Sequence, residues 1–172
     1  SAAPVAHAES FAGVLGIVAE AFRSVSSGGA LPLPSLVACV ADLDRVVADP
    51  AAMAWADLDL SRGDAEDPLN AVHATRVAVL SLLGARTLTD DAALVRRIGL
   101  AALLHDVGRL FLPFEFITET PDLDCRQFPA QLEHPALGAE FLMAQPGIDP
   151  LAVAVAFGHH HSAIEGQRYP DC

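Results

Sequence analysis

The chain has 172 residues, enough for one compact domain whose folding removes roughly 70% of the unfolded chain's surface from water. Hydrophobic residues make up 52% of it and charged residues 19%, which excludes a disordered tail or a solvated coiled coil. With 22 acidic and 10 basic side chains the formal charge is -12, which repels polyanions and gives no footprint for DNA, RNA or an anionic bilayer. We therefore predict a globular protein that binds no nucleic-acid polymer.

The cysteines are few and widely spaced. Cys39, Cys125 and Cys172 form no C-x-x-C pair, which argues against a disulfide scaffold and against a structural zinc module. A reducing cytoplasm is the simple interpretation, and Cys39, on an apolar face, is expected to pack in the core. The longest stretch without charge, 24–41, is interrupted by glycines and prolines, so no membrane segment is predicted.

Two amphipathic helices are predicted at the start of the chain, separated by a turn of serines, glycines and prolines. The apolar face of the first carries Phe11, Val14, Leu15, Val18, Phe22 and Val25, and that of the second Leu36, Val37, Val40, Leu43, Val46 and Val47. A short helix carrying Trp55 then leads into the acidic stretch 57–68. This stretch predicts an internal boundary, which we place after residue 64.

The next two helices form the predicted centre of the fold. One runs from Pro68 to about Gly84, a residue that tolerates a left-handed cap. Thr89 is expected to cap the start of the other. The nearly apolar run 94–104 before Gly108 makes this second helix the most buried.

Two more helices are predicted after a loop over 113–128. One covers 131–144, and the other is capped by Asp149, has Pro150 at its first position and reaches about His161. Because no alternating strand pattern competes, the predicted fold class is all-α.

Histidine and aspartate interrupt these apolar helices, and such side chains are seldom buried without partners. Asp106 follows the most buried helix, where an unpaired carboxylate is costly and a bound cation would remove that cost. The candidate ligands are His73, His105, Asp106, His134, His160 and His161. They exceed the needs of one tetrahedral zinc ion, and one carboxylate can bridge two ions, so two transition metals are predicted. His159 is expected to face away from them or to support a ligand from behind.

Four ordered motifs carry a resemblance to a known family. HDVGR at 105–109 resembles the HDxGK signature of the HD phosphohydrolase superfamily, and 160–170 resembles the HHExxDGxGYP signature of its HD-GYP branch. HPALG at 134–138 matches the family's HPxxG, and His73 matches the histidine that opens its core. The resemblance covers about residues 67–172.

The resemblance implies an HD-domain helical bundle with an N-terminal helical extension. Residues 1–64 would form a regulatory or dimerising segment and residues 65–172 the metal-binding core. Family members continue beyond the tyrosine–proline pair to a helix with another metal-ligating aspartate, so the core is expected to lack its C-terminal helix.

The function implied is hydrolysis of the messenger cyclic di-GMP by a cytoplasmic phosphodiesterase with two divalent ions, usually iron or manganese. His73, His105 and Asp106 would bind one ion, and Asp106 would bridge to a second held by His134, His160 and His161. Arg109, with Asp106 a catalytic residue, takes the place of the family lysine near the phosphate, and Tyr169 would also bind substrate. A homodimer or a diguanylate-cyclase-type protein is the expected partner.

Several positions depart from the family pattern. Arg109 replaces lysine and will not deliver a proton, Ser162, Glu165 and Arg168 replace family residues of the longer signature, and Leu69 replaces the glutamate of three-metal members. Two alternatives therefore stay open. One is a degenerate module that acts as a nucleotide sensor or protein-interaction domain without turnover, and the other is an HD phosphohydrolase for another phosphoester.

Overall fold

The computed structural model describes residues 11–49, 69–112 and 132–161. The helices in these ranges are α1 (Phe11–Ser26), α2 (Leu33–Val47), α3 (Ala71–Leu88), α4 (Ala92–Leu104), a 3-10 helix (Val107–Phe111), α5 (His134–Met143) and α6 (Pro150–Gly158). These ranges contain no strand, so the all-α fold class is confirmed. No helix within them is long and apolar enough to cross a bilayer.

One hydrophobic core joins the helices at both ends of the described chain. α3 and α4 pack against each other, α2 packs on both, and α1 packs on α2, α3 and the 3-10 helix. α6 packs on α4 and α5, and α5 packs on the 3-10 helix. The largest fully buried side chains include Leu36, Leu43, Leu82, Leu103, Leu104 and Leu142.

The predicted apolar faces of the first two helices are largely buried. On α1, Phe11, Val14, Val18, Phe22 and Val25 are all in the core. On α2 one assignment is wrong, because Val37 is 49% exposed. A helical residue points about 100° away from its neighbour, so Val37 lies off the stripe that contains Leu36.

Gly84 does not end α3, contrary to the prediction. The helix continues to Leu88, and the amide of Thr89 still donates to the carbonyl of Ala85. A Cβ at Gly84 would have no atom within 4 Å, so this glycine serves neither a turn nor a close approach.

The start of α4 also differs from the prediction. Its N-cap is Asp91 and not Thr89, because the Asp91 carboxylate accepts hydrogen bonds from the amides of Ala93 (2.9 Å) and Leu94 (3.1 Å). Thr89 accepts from the Asp91 amide instead. An aspartate two residues further on satisfies the free first-turn amides better.

The three helices that lead into the site are shorter than predicted. α4 ends at Leu104, and Gly108 lies in the following 3-10 helix. α5 begins at His134, and α6 ends at Gly158, after which the His161 amide donates to the Gly158 carbonyl in a turn. The predicted helix with Trp55, the acidic stretch and the loop over 113–128 lie outside the described residues.

A buried carboxylate ties α2 to the two central helices. The side chain of Asp44 is 2% exposed, and its Oδ1 and Oδ2 accept hydrogen bonds from Nε of Arg86 (2.8 Å) and Nε of Arg96 (3.0 Å). Because each oxygen has a cationic donor, the buried charge is compensated.

The division predicted after residue 64 falls outside the described residues, and the regulatory or dimerising role of the first segment stays a prediction.

Cys39 is fully buried in the core, where it was expected. Burial, with the nearby carboxylate of Asp42, raises the pKa of its thiol to about 11. The thiol is therefore neutral and unreactive at neutral pH.

Asp149 gives α6 a pH-dependent contribution to stability. Its carboxylate pairs with Arg97 and accepts from the Leu151 amide, and both interactions lower its pKa. A lowered pKa means that the stabilisation is present above the unfolded-state pKa and is lost as the pH falls through the folded-state value. We expect Asp149→Ala to lower the free energy of unfolding by about 1 kcal/mol at pH 7, and the difference from wild type to shrink below about pH 4.

Urea unfolding of both proteins between pH 7 and pH 3 measures this difference. Arg97→Ala is the control for the ion pair, and it should cost less because exposed ion pairs contribute little. A difference between Asp149→Ala and wild type that stays constant over this range would contradict the assignment.

Candidate metal centre

Asp106 lies at the middle of the candidate site, between the end of α4 and the 3-10 helix. Its side chain is 8% exposed. The buried Oδ1 accepts no well-directed hydrogen bond from the described residues, although two imidazole nitrogens lie within 3.3 Å of it. Burial alone would raise the pKa of Asp106, but the imidazoles of His134 and His159 outweigh it, and the pKa lies far below its ordinary value. The carboxylate is therefore ionised, and its charge needs a partner.

One group of potential ligands faces Oδ2 of Asp106. His73, in the first turn of α3, places Nε2 at 3.9 Å, and His105, directly after α4, places Nε2 at 3.6 Å. The potential ligand atoms of these three residues all lie within 4.8 Å of one another. This spacing allows a single ion to contact all three.

A second group faces Oδ1. The Nε2 atoms of His134, at the start of α5, and His159, just after α6, lie 3.1 and 3.3 Å from Oδ1. Nε2 of His160 is 3.2 Å from Nε2 of His134. The ligand atoms of Asp106, His134, His159 and His160 also lie within 4.8 Å of one another. Asp106 is thus shared by two groups, one on each carboxylate oxygen.

The histidine tautomers favour a cation at this place. Nδ1 of His105 lies 2.8 Å from the Ala102 carbonyl, and Nδ1 of His159 lies 2.9 Å from the Ala156 carbonyl. A carbonyl oxygen only accepts, so both Nδ1 atoms carry a proton, and in its neutral form each ring directs an Nε2 lone pair toward the carboxylate. Either a proton on Nε2 or a metal ion between the ring and the carboxylate compensates the negative charge of Asp106. The donor set therefore fits a divalent metal ion.

Burial keeps two of these imidazoles neutral. It lowers the pKa of His105, against the attraction of Asp106, and it lowers the pKa of His160 to about 4, with further lowering by the neighbouring imidazoles. Neutral imidazole is the form that binds a metal. Both rings can accept a cation at neutral pH without first losing a proton.

Five of the six predicted ligands lie in the two groups, and one does not. His161 is exposed, and its ring lies beside Phe157, with 5.9 Å between the ring centroids. His159, which was expected to face away or to support a ligand, instead directs Nε2 at Asp106. The sequence signal for His159 was the run of three histidines. The motif selects the last two of them as ligands, whereas in the structure the first two lie in the group around Asp106.

The remaining predicted residues are divided between the site and the undescribed ranges. Leu69, at the position where the resemblance places the glutamate of three-metal members, is partly buried against the core. Tyr169 and the departures at Ser162, Glu165 and Arg168 lie outside the described residues.

Arg109 keeps a positive charge beside the site. Its Nη1 is 3.8 Å from Oδ2 of Asp106, beyond hydrogen-bond distance. Its buried Nε has no hydrogen-bond partner among the described residues. The guanidinium therefore retains donors for an anion that enters the site.

Asn70 is a contact that the sequence reasoning missed. It precedes α3, and its Nδ2 donates to Oδ2 of Asp106 at 3.0 Å. Asparagine often precedes helices, but this preference does not predict a hydrogen bond to a partner 36 residues away.

Two glycines bring α5 close to the 3-10 helix. A Cβ on Gly108 would lie 1.9 Å from the His134 carbonyl oxygen and 2.6 Å from the Gly138 amide nitrogen. Only a residue without a side chain permits this approach. The contact sets the distance between Asp106, two residues before Gly108, and His134.

Residues 70–171, more than half of the chain, match the model of the HD domain family. The chain belongs to the HD domain family. The matched range includes every member of both groups of potential ligands.

Two relatives narrow the type of HD domain. The chain is 34% identical over 113 residues to a cyclic di-GMP phosphodiesterase of Pseudomonas aeruginosa, over 66% of this chain and 27% of that protein. It is also 34% identical over 110 residues to a 3'3'-cGAMP-specific phosphodiesterase of Vibrio cholerae, over 62% of this chain and 23% of that protein. The chain thus spans about a quarter of the length of these relatives, which fit the HD-GYP type. No solved structure matches the chain.

Gly108→Ala should disrupt the site, because the new methyl group collides with backbone atoms that cannot move independently. We expect a loss of about 3 kcal/mol or more in the free energy of unfolding, measured by urea unfolding, and weaker metal binding. Gly84→Ala is the matched control, because its methyl group meets no atom within 4 Å and alanine favours the helix by up to about 1 kcal/mol. Equal stability of the two variants would contradict the close-contact role of Gly108.

Proposed function

We propose that this HD domain is the catalytic module of a metal-dependent phosphodiesterase that hydrolyses cyclic di-GMP or a closely related cyclic dinucleotide. The observation that carries the proposal is Asp106, a buried carboxylate that faces one group of imidazoles with each oxygen. A carboxylate so placed could be shared by two ions, and paired ions can stabilise both the attacking and the leaving oxygen of a phosphodiester. The names of the two relatives supply the substrate class.

We infer that two divalent ions, iron or manganese, occupy the site. His73, His105 and Asp106 would hold one, and Asp106 with His134, His159 and His160 would hold the other. This assignment keeps five of the ligands expected from sequence and replaces His161 with His159. Imidazole and carboxylate together suit such borderline metals.

Bound cations would supply Lewis acidity and neutralise charge on the phosphodiester. The described residues would contribute in two ways. Asp106 would hold both ligand groups in one arrangement, and the free donors of Arg109 would bind a phosphate oxygen pair as a fork. Because arginine stays charged, Arg109 would orient the substrate and would not protonate the leaving group.

The cellular setting follows from the substrate. Cyclic dinucleotides are intracellular messengers, so we propose a cytoplasmic location for this module. A homodimer or a diguanylate-cyclase-type partner stays a proposal carried by the family resemblance.

Turnover tests the proposed function. Protein loaded with Mn(II), or with Fe(II) under reducing conditions, should hydrolyse many molecules of cyclic di-GMP or 3'3'-cGAMP per site. Chromatography of the products measures this turnover. Asp106→Ala should reduce the rate to that of the buffer, because it removes the ligand shared by both groups. Metal-loaded protein that binds these nucleotides without turnover would instead favour a nucleotide sensor. Activity only on other phosphoesters would favour an HD phosphohydrolase with a different substrate.

The choice between His159 and His161 can be tested by metal content. We expect His159→Ala to lower the number of ions per chain from about two to about one, because it removes a donor 3.3 Å from Asp106. His161→Ala is the matched control and should retain the wild-type content. Elemental analysis after removal of unbound metal measures both, and the reverse pattern would restore the assignment based on the motif.

A further inference from the structure

Asn70 has a backbone conformation that needs a reason. Its φ is 59°, in the left-handed region, and it is the only non-glycine residue with a positive φ in the described ranges. Side chains other than glycine adopt this region at an energetic cost, although asparagine tolerates it better than most. Such strain persists where the surrounding structure imposes it, often beside a functional group.

The side chain of Asn70 does not cap the helix that follows it. Asparagine before a helix commonly accepts a hydrogen bond from a first-turn amide, but Asn70 makes no such bond to α3. Its carbonyl still accepts the first helical bond, from Ala74. The left-handed turn directs the side-chain amide to Oδ2 of Asp106 instead, at 3.0 Å.

This amide differs chemically from the other groups around Asp106. The imidazole nitrogens that face the carboxylate would use their lone pairs to bind metal, and a nitrogen that binds metal cannot donate a proton to the carboxylate at the same time. Arg109 is too distant for a hydrogen bond, at 3.8 Å. Asn70 is therefore the neutral donor in the described site that can hold Asp106 both with and without metal.

We propose that Asn70 is a positioning residue that orients the Asp106 carboxylate, so that one oxygen faces each group of histidines. The role rests on the proposed metal site but concerns metal affinity rather than turnover. Asn70 acts through Asp106 and not on the substrate.

Asn70→Gly isolates the amide from the backbone. Glycine adopts the left-handed conformation without strain and is acceptable before a helix, so the fold should persist, which a cooperative thermal unfolding transition of the metal-free protein would show. Loss of a partner that orients a ligand typically weakens metal affinity 10–100-fold, and we expect a weakening in this range for Mn(II) titrated by isothermal calorimetry. Wild-type affinity in a folded Asn70→Gly protein would overturn the proposal.

A second measurement uses the wild-type protein and does not depend on any variant folding. Asn70 is the only asparagine in the sequence, so selective ¹⁵N-asparagine labelling gives one side-chain NH₂ signal. With the diamagnetic ion Zn(II) bound, one of its two protons should exchange slowly with solvent and be shifted from the value in unfolded protein. Rapid exchange of both protons would overturn the proposal.

These outcomes separate the two proposals. Wild-type protein that binds no metal would overturn both. Wild-type protein that binds metal without hydrolysing a cyclic dinucleotide would overturn the proposed function alone. Equal metal affinity of wild type and Asn70→Gly would overturn only the role of Asn70.

Discussion

The ionised carboxylate of Asp106 is the constraint on which the rest of the site depends. A buried charge is tolerated only where partners compensate it, and Asp106 is 8% exposed in the wall of the core. The start of α3, the end of α4, the start of α5 and the residue after α6 supply the groups that face it. The site is therefore organised around a charge that the protein must neutralise.

Short-range contacts bring those partners together from distant parts of the chain. α4 delivers His105 and Asp106 at its end, and the 3-10 helix turns the chain so that Gly108 meets Gly138 without intervening side chains. α3 contributes Asn70 and His73 at its start. At the other end of the α3–α4 pair, Asp44 binds Arg86 and Arg96, so the helices that carry the site are pinned at both ends.

The sequence could predict the helices and five of the six residues in the two groups, because helical periodicity and the spacing of polar exceptions are local signals. It could not show which histidines after α6 face Asp106, because three consecutive histidines follow the end of that helix. Neighbouring helical side chains point about 100° apart, so only the point where the helix ends decides which two face Asp106, and α6 ends at Gly158 rather than near His161. The hydrogen bond from Asn70 to Asp106 could not be predicted for a related reason. Tertiary packing determines this partner, and the left-handed turn at Asn70 has no sequence signature of its own.

Two departures from the family pattern lie in the described part of the chain. Leu69 stands where the resemblance places a glutamate of three-metal members and is partly buried against the core. Arg109 retains the positive charge of the family lysine and gains a planar fork of donors. Arginine in general can bind a phosphate through such a fork, but it stays protonated and does not act as a proton donor in catalysis. If the family reaction needs a proton from this position, metal binding and nucleotide binding would survive while the chemical step slowed. Under the proposed function, residue 109 would then decide between an active phosphodiesterase and a nucleotide sensor.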